Sequence, residues 1–313
     1  ASWRPRVTQV HTTTRMELLR KAPALVSPAW LAANRGPSVK VVDASWYLPA
    51  MGRDARQEFE ACRVPGAVFF DVDATDVASP LPHMLPSDAF FSRTMSELGI
   101  VHDDHVVCYD GKGLFSAARF WWMLRAYGHP AASVLDGGLP AWQRAGHATE
   151  SGPRAPVARA SSPFEARLDT SRVADLSKVR SMVDAFQSGA APAQTLIDAR
   201  SQARFEGAAK EARAGCRSGH APGARNVPFD RVLQADGTMR PPEQVAAVFA
   251  EAGVSGVDAP LVGSCGSGVT AAVLALALEH AGRASLLEIY DGSWAEYGGD
   301  ESQPLATGPA TPA

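Results

Sequence analysis

The chain has 313 residues, of which 46% are apolar and 20% are charged, and this length and composition fit about two soluble globular domains. Its formal charge of −3 leaves no basic surplus for a phosphate backbone, so a nucleic-acid partner is not expected. The longest apolar stretch, residues 269–278, is well short of the roughly 20 residues that a membrane-spanning helix needs, so no membrane segment is expected.

The N-terminal residues are rich in arginine, serine and threonine. The first 22 residues contain five lysines and arginines against the single acid Glu17. This composition is typical of an organellar transit segment, with a disordered arm as the alternative. We therefore expect residues 1–24 to be an arm or a transit remnant, and the protein to be mitochondrial, with a cytoplasmic or plastid location as alternatives.

Three short motifs recur in the same order at a spacing near 155 residues: 41–44 as 196–199, 64–67 as 221–224 and 135–138 as 290–293. A unit of this length is too long for a solenoid repeat, so the pattern predicts a duplicated domain. Between the two copies, residues 151–163 are rich in Pro, Ala, Arg and Ser, which is typical of an exposed linker. The expected boundaries are domains at 25–150 and 176–301, a linker at 151–175 and a tail at 302–313.

Within each half, short β-branched runs alternate with longer helical patterns. In the first half, the runs at 39–42 and 106–107 precede a helical pattern at 116–127. In the second, a helical pattern at 242–252 precedes the run at 261–262. This alternation predicts an α/β fold, with a mainly parallel sheet in each half covered by helices on both faces. Reactive groups in such folds lie at the carboxyl ends of the strands.

The two halves differ at one loop that follows a strand. In the second half the loop begins at Cys265 and contains Gly266 and Gly268, whereas Asp110 has the place of the cysteine in the first half. The glycines let successive N–H groups point into one concavity, and the following helix adds partial positive charge, so a thiolate is stabilised there. Cys265 is therefore the predicted nucleophile, and the same N–H groups could hold the terminal sulfur of a persulfide. The alternative is that Cys265 is only a small buried hydrophobe.

The other three cysteines are far apart in the sequence, with neither a CxxC pair nor the spacing of a zinc site, which favours a reducing compartment. Cys108 lies in an apolar run and is interpreted as a core residue. Cys62 and Cys216 lie in polar segments, and Cys216 could be redox-reactive. Neither a metal nor a cofactor is expected.

Residues 265–271 resemble the active-site loop of the mercaptopyruvate sulfurtransferases, which are two-domain proteins of the rhodanese family. Further motifs resemble this family in order and spacing: 43–47, 69–73, 83–86, 109–111 and 290–294. The resemblance implies two tandem rhodanese-like domains, the first without a nucleophile, and sulfur transfer from 3-mercaptopyruvate through a persulfide on Cys265. The expected acceptor is cyanide or a thiol such as thioredoxin or glutathione, and the enzyme is expected to be a monomer.

The resemblance also assigns residues to the substrate. Arg204 and Arg213 lie where the family grips the carboxylate and keto oxygen of mercaptopyruvate. A planar guanidinium suits bidentate binding of a carboxylate. The alternative is that both arginines are solvated charges. The loop residues implied to bind substrate are Gly266, Gly268, Val269 and Thr270.

A proton relay from the first half is implied as well. Asp73 and His83 correspond to a pair that the family sets across the cleft from Ser267. A histidine oriented by a carboxylate can move protons during sulfur transfer. Alternatively, His83 only packs at the interface between the halves.

Three rival interpretations remain. A cysteine phosphatase needs an arginine six residues after the nucleophile, and Ala271 has that position, which argues against it. Thiosulfate-preferring relatives have basic residues directly after the cysteine, so the neutral pair Gly266 and Ser267 favours mercaptopyruvate, with thiosulfate as a side substrate. A non-catalytic binding module fits the first half but not the second.

Overall fold

The computed structural model describes residues 22–154 and 162–310. Residues 1–21, which carry the predicted transit segment, and residues 155–161 of the predicted linker lie outside the described residues. The first half contains a five-stranded sheet with strand order β1-β5-β4-β2-β3, in which every pair is parallel. Its strands are β1 (Leu25–Val26), β2 (Val39–Asp43), β3 (Val68–Phe69), β4 (His105–Tyr109) and β5 (Ala132–Leu135).

The second half repeats this sheet, with order β6-β10-β9-β7-β8 and parallel pairing throughout. Its strands are β6 (Val173–Ala174), β7 (Thr195–Asp198), β8 (Arg225–Asn226), β9 (Leu261–Ser264) and β10 (Glu288–Tyr290). The two orders match strand for strand, so the predicted duplication of an α/β domain is confirmed. β6 lies within residues 151–175, which were expected to be linker. Val173 and Ala174 instead belong to the second sheet, since they pair with Ile289 and Tyr290.

Helices connect the strands in both halves. Those of the first half are α1 (Pro28–Asn34), α2 (Ala55–Ala61), α3 (Asp88–Glu97), α4 (Ala117–Ala126) and α5 (Gly138–Arg144). Those of the second are α6 (Leu176–Gln187), α7 (Gln202–Phe205), α8 (Pro242–Glu251), α9 (Ala271–His280) and α10 (Ser293–Tyr297). Short 3₁₀ turns lie at Pro49–Met51, Thr170–Arg172 and Phe229–Val232.

The central strands β4 and β9 are buried along their whole length because helices cover both faces of each sheet. All five residues of β4 are buried, which explains why its sequence is a continuous run rather than an alternation of apolar and polar residues. Cys108 lies in this strand and is fully buried, and burial raises the pKa of its thiol well above the ordinary value. The interpretation of Cys108 as a core residue fits this environment.

The two halves share one continuous apolar core. Helices α4 and α9, each buried over most of its length, pack against one another at the centre of the molecule. The indole Nε1 of Trp122 donates to the carbonyl of Leu287 at 2.9 Å, and Arg125 forms an ion pair with Glu279 at 2.8 Å. Because α4 follows β4 and α9 follows β9, the loops that lead into both helices lie beside this interface.

Within the described ranges, no helix combines the length and the apolar character needed to cross a membrane. In the same part of the chain, no group of three or more His, Cys, Asp and Glu side chains converges as metal ligands do.

Candidate active site

The loop of the second half begins at Cys265, directly after the last residue of β9, and ends where α9 begins. The Cys265 side chain is almost completely buried. The carbonyl oxygens of Cys265 and Gly266 accept hydrogen bonds from Trp294 N at 3.0 Å and Ala295 N at 2.9 Å. The N–H groups of residues 266–270, by contrast, donate no hydrogen bond to any described residue. This loop therefore presents several free donors beside a thiol.

The equivalent loop of the first half is one residue longer, and its N–H donors are occupied. The carboxylate of Asp110 accepts five backbone hydrogen bonds of 2.9–3.0 Å, from Lys112, Gly113, Phe115, Ser116 and Ala117. The loop thus closes around an anion that belongs to the protein itself. Asp110 lies between β4 and α4, which correspond to β9 and α9 on either side of the Cys265 loop. Its five hydrogen bonds therefore indicate that the loop around Cys265 is suited to hold a negatively charged group.

Cys265 faces a cavity of about 140 Å³ between the two halves. The second half contributes its arginines and the loop itself, and the first half contributes an apolar wall of Trp46, Leu48 and Phe115. A larger cavity of about 460 Å³ near Met182 and Thr195 is lined by no cysteine, histidine or carboxylate. The smaller cavity is therefore the candidate active site.

Arg204 lies in α7 and reaches the loop from one side. Its Nε donates to Glu211 at 3.1 Å, and its Nη2 also contacts that carboxylate. A Cβ atom added to Gly266 would lie 3.3 Å from Arg204 Nη2, which shows how closely the guanidinium approaches the loop. The other oxygen of Glu211 binds the fully buried Arg200 at 2.7 Å. Glu211 therefore fixes Arg204 against a rigid neighbour.

Arg213 brings together residues from both halves. Its Nη2 lies 3.1 Å from His83 Nε2 and 3.4 Å from Ser267 Oγ. Because a guanidinium can only donate, His83 Nε2 accepts and the proton of the neutral imidazole lies on Nδ1. That nitrogen contacts the carboxylate of Asp73. No hydrogen bond joins His83 to Ser267 within the described part of the chain, so Arg213 is the group that bridges them.

Asp73 is held on the rim of this site by two first-half groups. Trp46 Nε1 donates to its Oδ2 at 2.9 Å, and the indole ring meets the imidazole of His83 edge-on, with 4.5 Å between centroids. Partial burial opposes ionisation of Asp73, but the contact with His83, the hydrogen bond from Trp46 and the charge of Arg213 outweigh it and hold the pKa of Asp73 below its ordinary value. Asp73 is therefore ionised at neutral pH.

Each residue that the sequence assigned to the site thus lies at or beside this one cavity. The sequence reasoning missed Glu211, Arg200 and Ser293. The hydroxyl of Ser293 accepts from Cys265 N at 3.3 Å and donates to the carbonyl of Tyr290 at 2.8 Å. The repeat could have indicated Ser293, because it follows the recurrent Asp-Gly pair. Glu211 carries no such signal, since it lies among other charged residues of a loop.

Cys216 also lines the cavity, in a partly buried position. Burial and the nearby carboxylate of Glu211 raise the pKa of its thiol, although Arg213 and two other arginines oppose this effect. Cys216 is therefore mainly protonated at neutral pH.

The family model for the rhodanese-like domain matches residues 27–145 and 181–300. The mitochondrial thiosulfate/3-mercaptopyruvate sulfurtransferase 1 of Arabidopsis thaliana is 40% identical over 301 residues, which cover 90% of this chain and 77% of that protein. The 3-mercaptopyruvate sulfurtransferase of Homo sapiens is 41% identical over 284 residues, with 88% and 91% covered. Among solved structures, SseA of Escherichia coli, described as a 3-mercaptopyruvate sulfotransferase, is 38% identical with a TM-score of 0.76, and the match covers 88% of this chain and 100% of that one.

Proposed function

The chain belongs to the rhodanese family of sulfurtransferases, and from this premise we propose that it transfers the sulfur of 3-mercaptopyruvate through a persulfide on Cys265 and releases pyruvate. The observation that carries the proposal is a buried thiol beside N–H groups that no described residue occupies. In the first step the Cys265 thiolate attacks the donor sulfur, and the bond between that sulfur and C3 breaks. The electron pair passes into the enolate of pyruvate, which takes up a proton at C3.

The free N–H groups supply what this step requires. The terminal sulfur of a persulfide carries negative charge, and the loop donors can bind it as the first-half loop binds its own carboxylate. Gly268, with φ of 79°, lets the backbone curl in this way, and Gly266, Val269 and Thr270 complete the loop. The chemistry is confined to the second half because only there does a thiol begin the loop and do the donors stay free for the intermediate; in the first half they bind Asp110.

Arg204 and Arg213 support the choice of a carboxylate-bearing donor. Both guanidinium groups border the cavity, and Glu211 or His83 occupies only part of each fork. The remaining donors can bind the carboxylate and the keto oxygen of mercaptopyruvate. Binding of the keto oxygen also stabilises the developing enolate, so the arginines would contribute to the reaction as well as to affinity.

His83, Asp73 and Ser267 are proposed to move the proton. The thiol proton of the donor must reach C3 of the product, and a neutral imidazole beside the cavity can accept it at Nε2. Asp73 then stabilises the imidazolium through Nδ1. Since Arg213 contacts both His83 and Ser267, its movement onto the substrate would free these two groups to meet.

Thiosulfate is the second candidate donor, because the Arabidopsis relative is named for both donors. The neutral Gly266 and Ser267 favour mercaptopyruvate, since a compact dianion gains most from cationic loop residues. For the acceptor we propose cyanide or a thiol such as thioredoxin or glutathione, and for the location the mitochondrion, as that same relative suggests. We further propose that the enzyme works as a monomer, because the site is assembled within one chain.

The test is pyruvate release from mercaptopyruvate, measured beside thiocyanate formation from thiosulfate with cyanide as acceptor. The expected result is a higher catalytic efficiency with mercaptopyruvate. Mass spectrometry after donor treatment should find one extra sulfur atom on Cys265. A persulfide on Cys108 or Cys216, with Cys265 unmodified, would overturn the mechanism, and a higher efficiency with thiosulfate would overturn the donor assignment.

A further inference from the structure

Arg119 is a fully buried arginine in α4 of the half without a nucleophile, yet it faces the active site of the other half. Its Nη2 donates to Asp291 Oδ1 at 2.5 Å and to the carbonyl of His83 at 2.8 Å. We propose that Arg119 is a positioning residue that sets the orientation of His83 toward the reacting groups. This inference rests on the function proposed above, in which His83 moves a proton.

The backbone at His83 explains why such positioning is needed. His83 has φ of 58°, in the left-handed region that non-glycine residues rarely adopt. A strained conformation persists only when its surroundings hold it. Arg119 binds the carbonyl of His83, and Asp291 Oδ2 accepts from Leu85 N at 2.9 Å. The Arg119–Asp291 pair, whose members come from opposite halves of the protein, therefore holds the chain directly after the strained φ of His83, at the His83 carbonyl and at Leu85 N.

The same pair borders the nucleophile loop. A Cβ atom added to Gly268 would lie 3.1 Å from Arg119 Nη1 and 3.3 Å from the carbonyl of Asp291. Only a glycine fits there without a shift, so the loop is packed directly against the guanidinium. Arg119 is thus in contact with both groups whose relative position the reaction needs: His83 and the loop that begins at Cys265.

Stability alone does not explain this arrangement. Arg119 Nε and Nη1 are buried and have no hydrogen-bond partner within the described residues. A buried donor without a partner costs stability, so these two nitrogens do not themselves hold the halves together. The geometry instead fits a side chain that is constrained by what it must hold.

The experiment compares Arg119→Lys with Arg125→Lys, which alters an interface ion pair of the same helix away from the site. Lys retains the charge at position 119, but its ammonium lacks the planar guanidinium that sets the single nitrogen Nη2 against both Asp291 and the carbonyl of His83. We expect Arg119→Lys to lower kcat for mercaptopyruvate about tenfold, with KM changed less than about threefold, because the substrate arginines are untouched. Arg125→Lys should leave kcat within about twofold of wild type.

A double-variant cycle with His83→Asn separates positioning from stability. If Arg119 acts through His83, Arg119→Lys should lower kcat no more than about twofold in the His83→Asn background. Multiplying effects, or wild-type kcat in Arg119→Lys, would overturn the proposal. A wild-type protein that releases no pyruvate would instead contradict the proposed function itself.

A second variant guards against misfolding. The double change Arg119→Gln and Asp291→Asn removes both buried charges together, so neither is left without its partner. It should melt near wild type yet show the same tenfold loss of kcat. Full turnover in this variant would overturn the proposal. Failure of both variants to fold would also overturn it, because Arg119 would then be required for the fold rather than for the orientation of His83.

Discussion

The loops after β4 and β9 have the same place in two copies of one domain, but they differ in what fills them. The first loop binds the carboxylate of its own Asp110 through five N–H groups, whereas the second begins with Cys265 and leaves its donors free. The duplicated fold thus supplies backbone donors at this place twice. Reactivity follows from whether the protein itself or an external anion occupies them.

The halves also contact each other's loops in a reciprocal way. His83 and Leu85 reach the second half, where Leu85 N binds Asp291. The turn at Thr238 reaches the first half, where Met239 N binds Asp136 at 2.8 Å. The turn that enters the reactive site brings an imidazole, whereas the turn that covers the closed site brings Gly237 and Thr238 against its glycines. Each half therefore completes the other, but only one combination is suited to chemistry.

The largest expected effect comes from converting the second loop into the first. Cys265→Asp and Cys265→Ser should each lower turnover by at least about 10³-fold, because neither side chain can carry a persulfide. The new carboxylate of Cys265→Asp should bind the free N–H groups as Asp110 does. Its free energy of unfolding, measured in urea, should therefore exceed that of Cys265→Ser by about 1–2 kcal/mol. An aspartate variant less stable than the serine variant would show that the two loops are not equivalent.

A second test removes the negative charge that closes the first loop. Asn at position 110 retains one carbonyl oxygen, but its NH₂ group faces N–H donors, so two or three of the five hydrogen bonds are lost. Asp110→Asn should lower the free energy of unfolding by about 3 kcal/mol, while turnover of the folded protein stays within about threefold of wild type. Urea unfolding and the pyruvate assay measure the two quantities. Unchanged stability would mean that the carboxylate is not what closes this loop.

The sequence predicted the duplication, the parallel sheets and the nucleophile loop because each depends on local patterns: collinear motifs, alternating runs and glycine spacing. It could not predict that Arg213 lies between His83 and Ser267, nor that Glu211 joins two arginines. Those contacts depend on how three loops of distant sequence meet across the interface. The sequence showed that Asp110 replaces the nucleophile in the first half. It did not show that the Asp110 carboxylate closes the loop through five hydrogen bonds.

The preference for one sulfur donor over the other tests what the reactive loop itself contributes. Gly266→Arg combined with Ser267→Lys adds two positive charges at the mouth of the cavity, where they attract a dianion. A side chain at position 266 also meets Arg204, 3.3 Å from the new Cβ, so mercaptopyruvate binding should suffer. The ratio of catalytic efficiencies should move toward thiosulfate by about a hundredfold. If both activities fall together at a constant ratio, selectivity lies in the arginines or in the first-half wall.

The smallest effect concerns two arginines in corresponding settings. Arg204 pairs with Glu211 beside the reactive loop, and Arg53 pairs with Glu58 beside the closed loop, with 2.7 Å between Arg53 Nε and Glu58 Oε1. Lys at position 204 keeps the charge but loses the fork that can serve Glu211 and a substrate carboxylate together. The catalytic efficiency with mercaptopyruvate should fall about tenfold, which corresponds to about 1.4 kcal/mol.

Arg53→Lys is the matched control, because it removes the same kind of guanidinium fork beside the closed loop of the first half, where no sulfur donor is proposed to bind. Its catalytic efficiency should stay within about twofold of wild type, with thermal melting used to confirm that both variants fold. Equal losses in the two variants would mean that the Arg–Glu pairs support the loops structurally and that Arg204 makes no special contact with the donor. A loss at Arg204 alone would identify the guanidinium fork, rather than its charge, as the part of the site that recognises mercaptopyruvate.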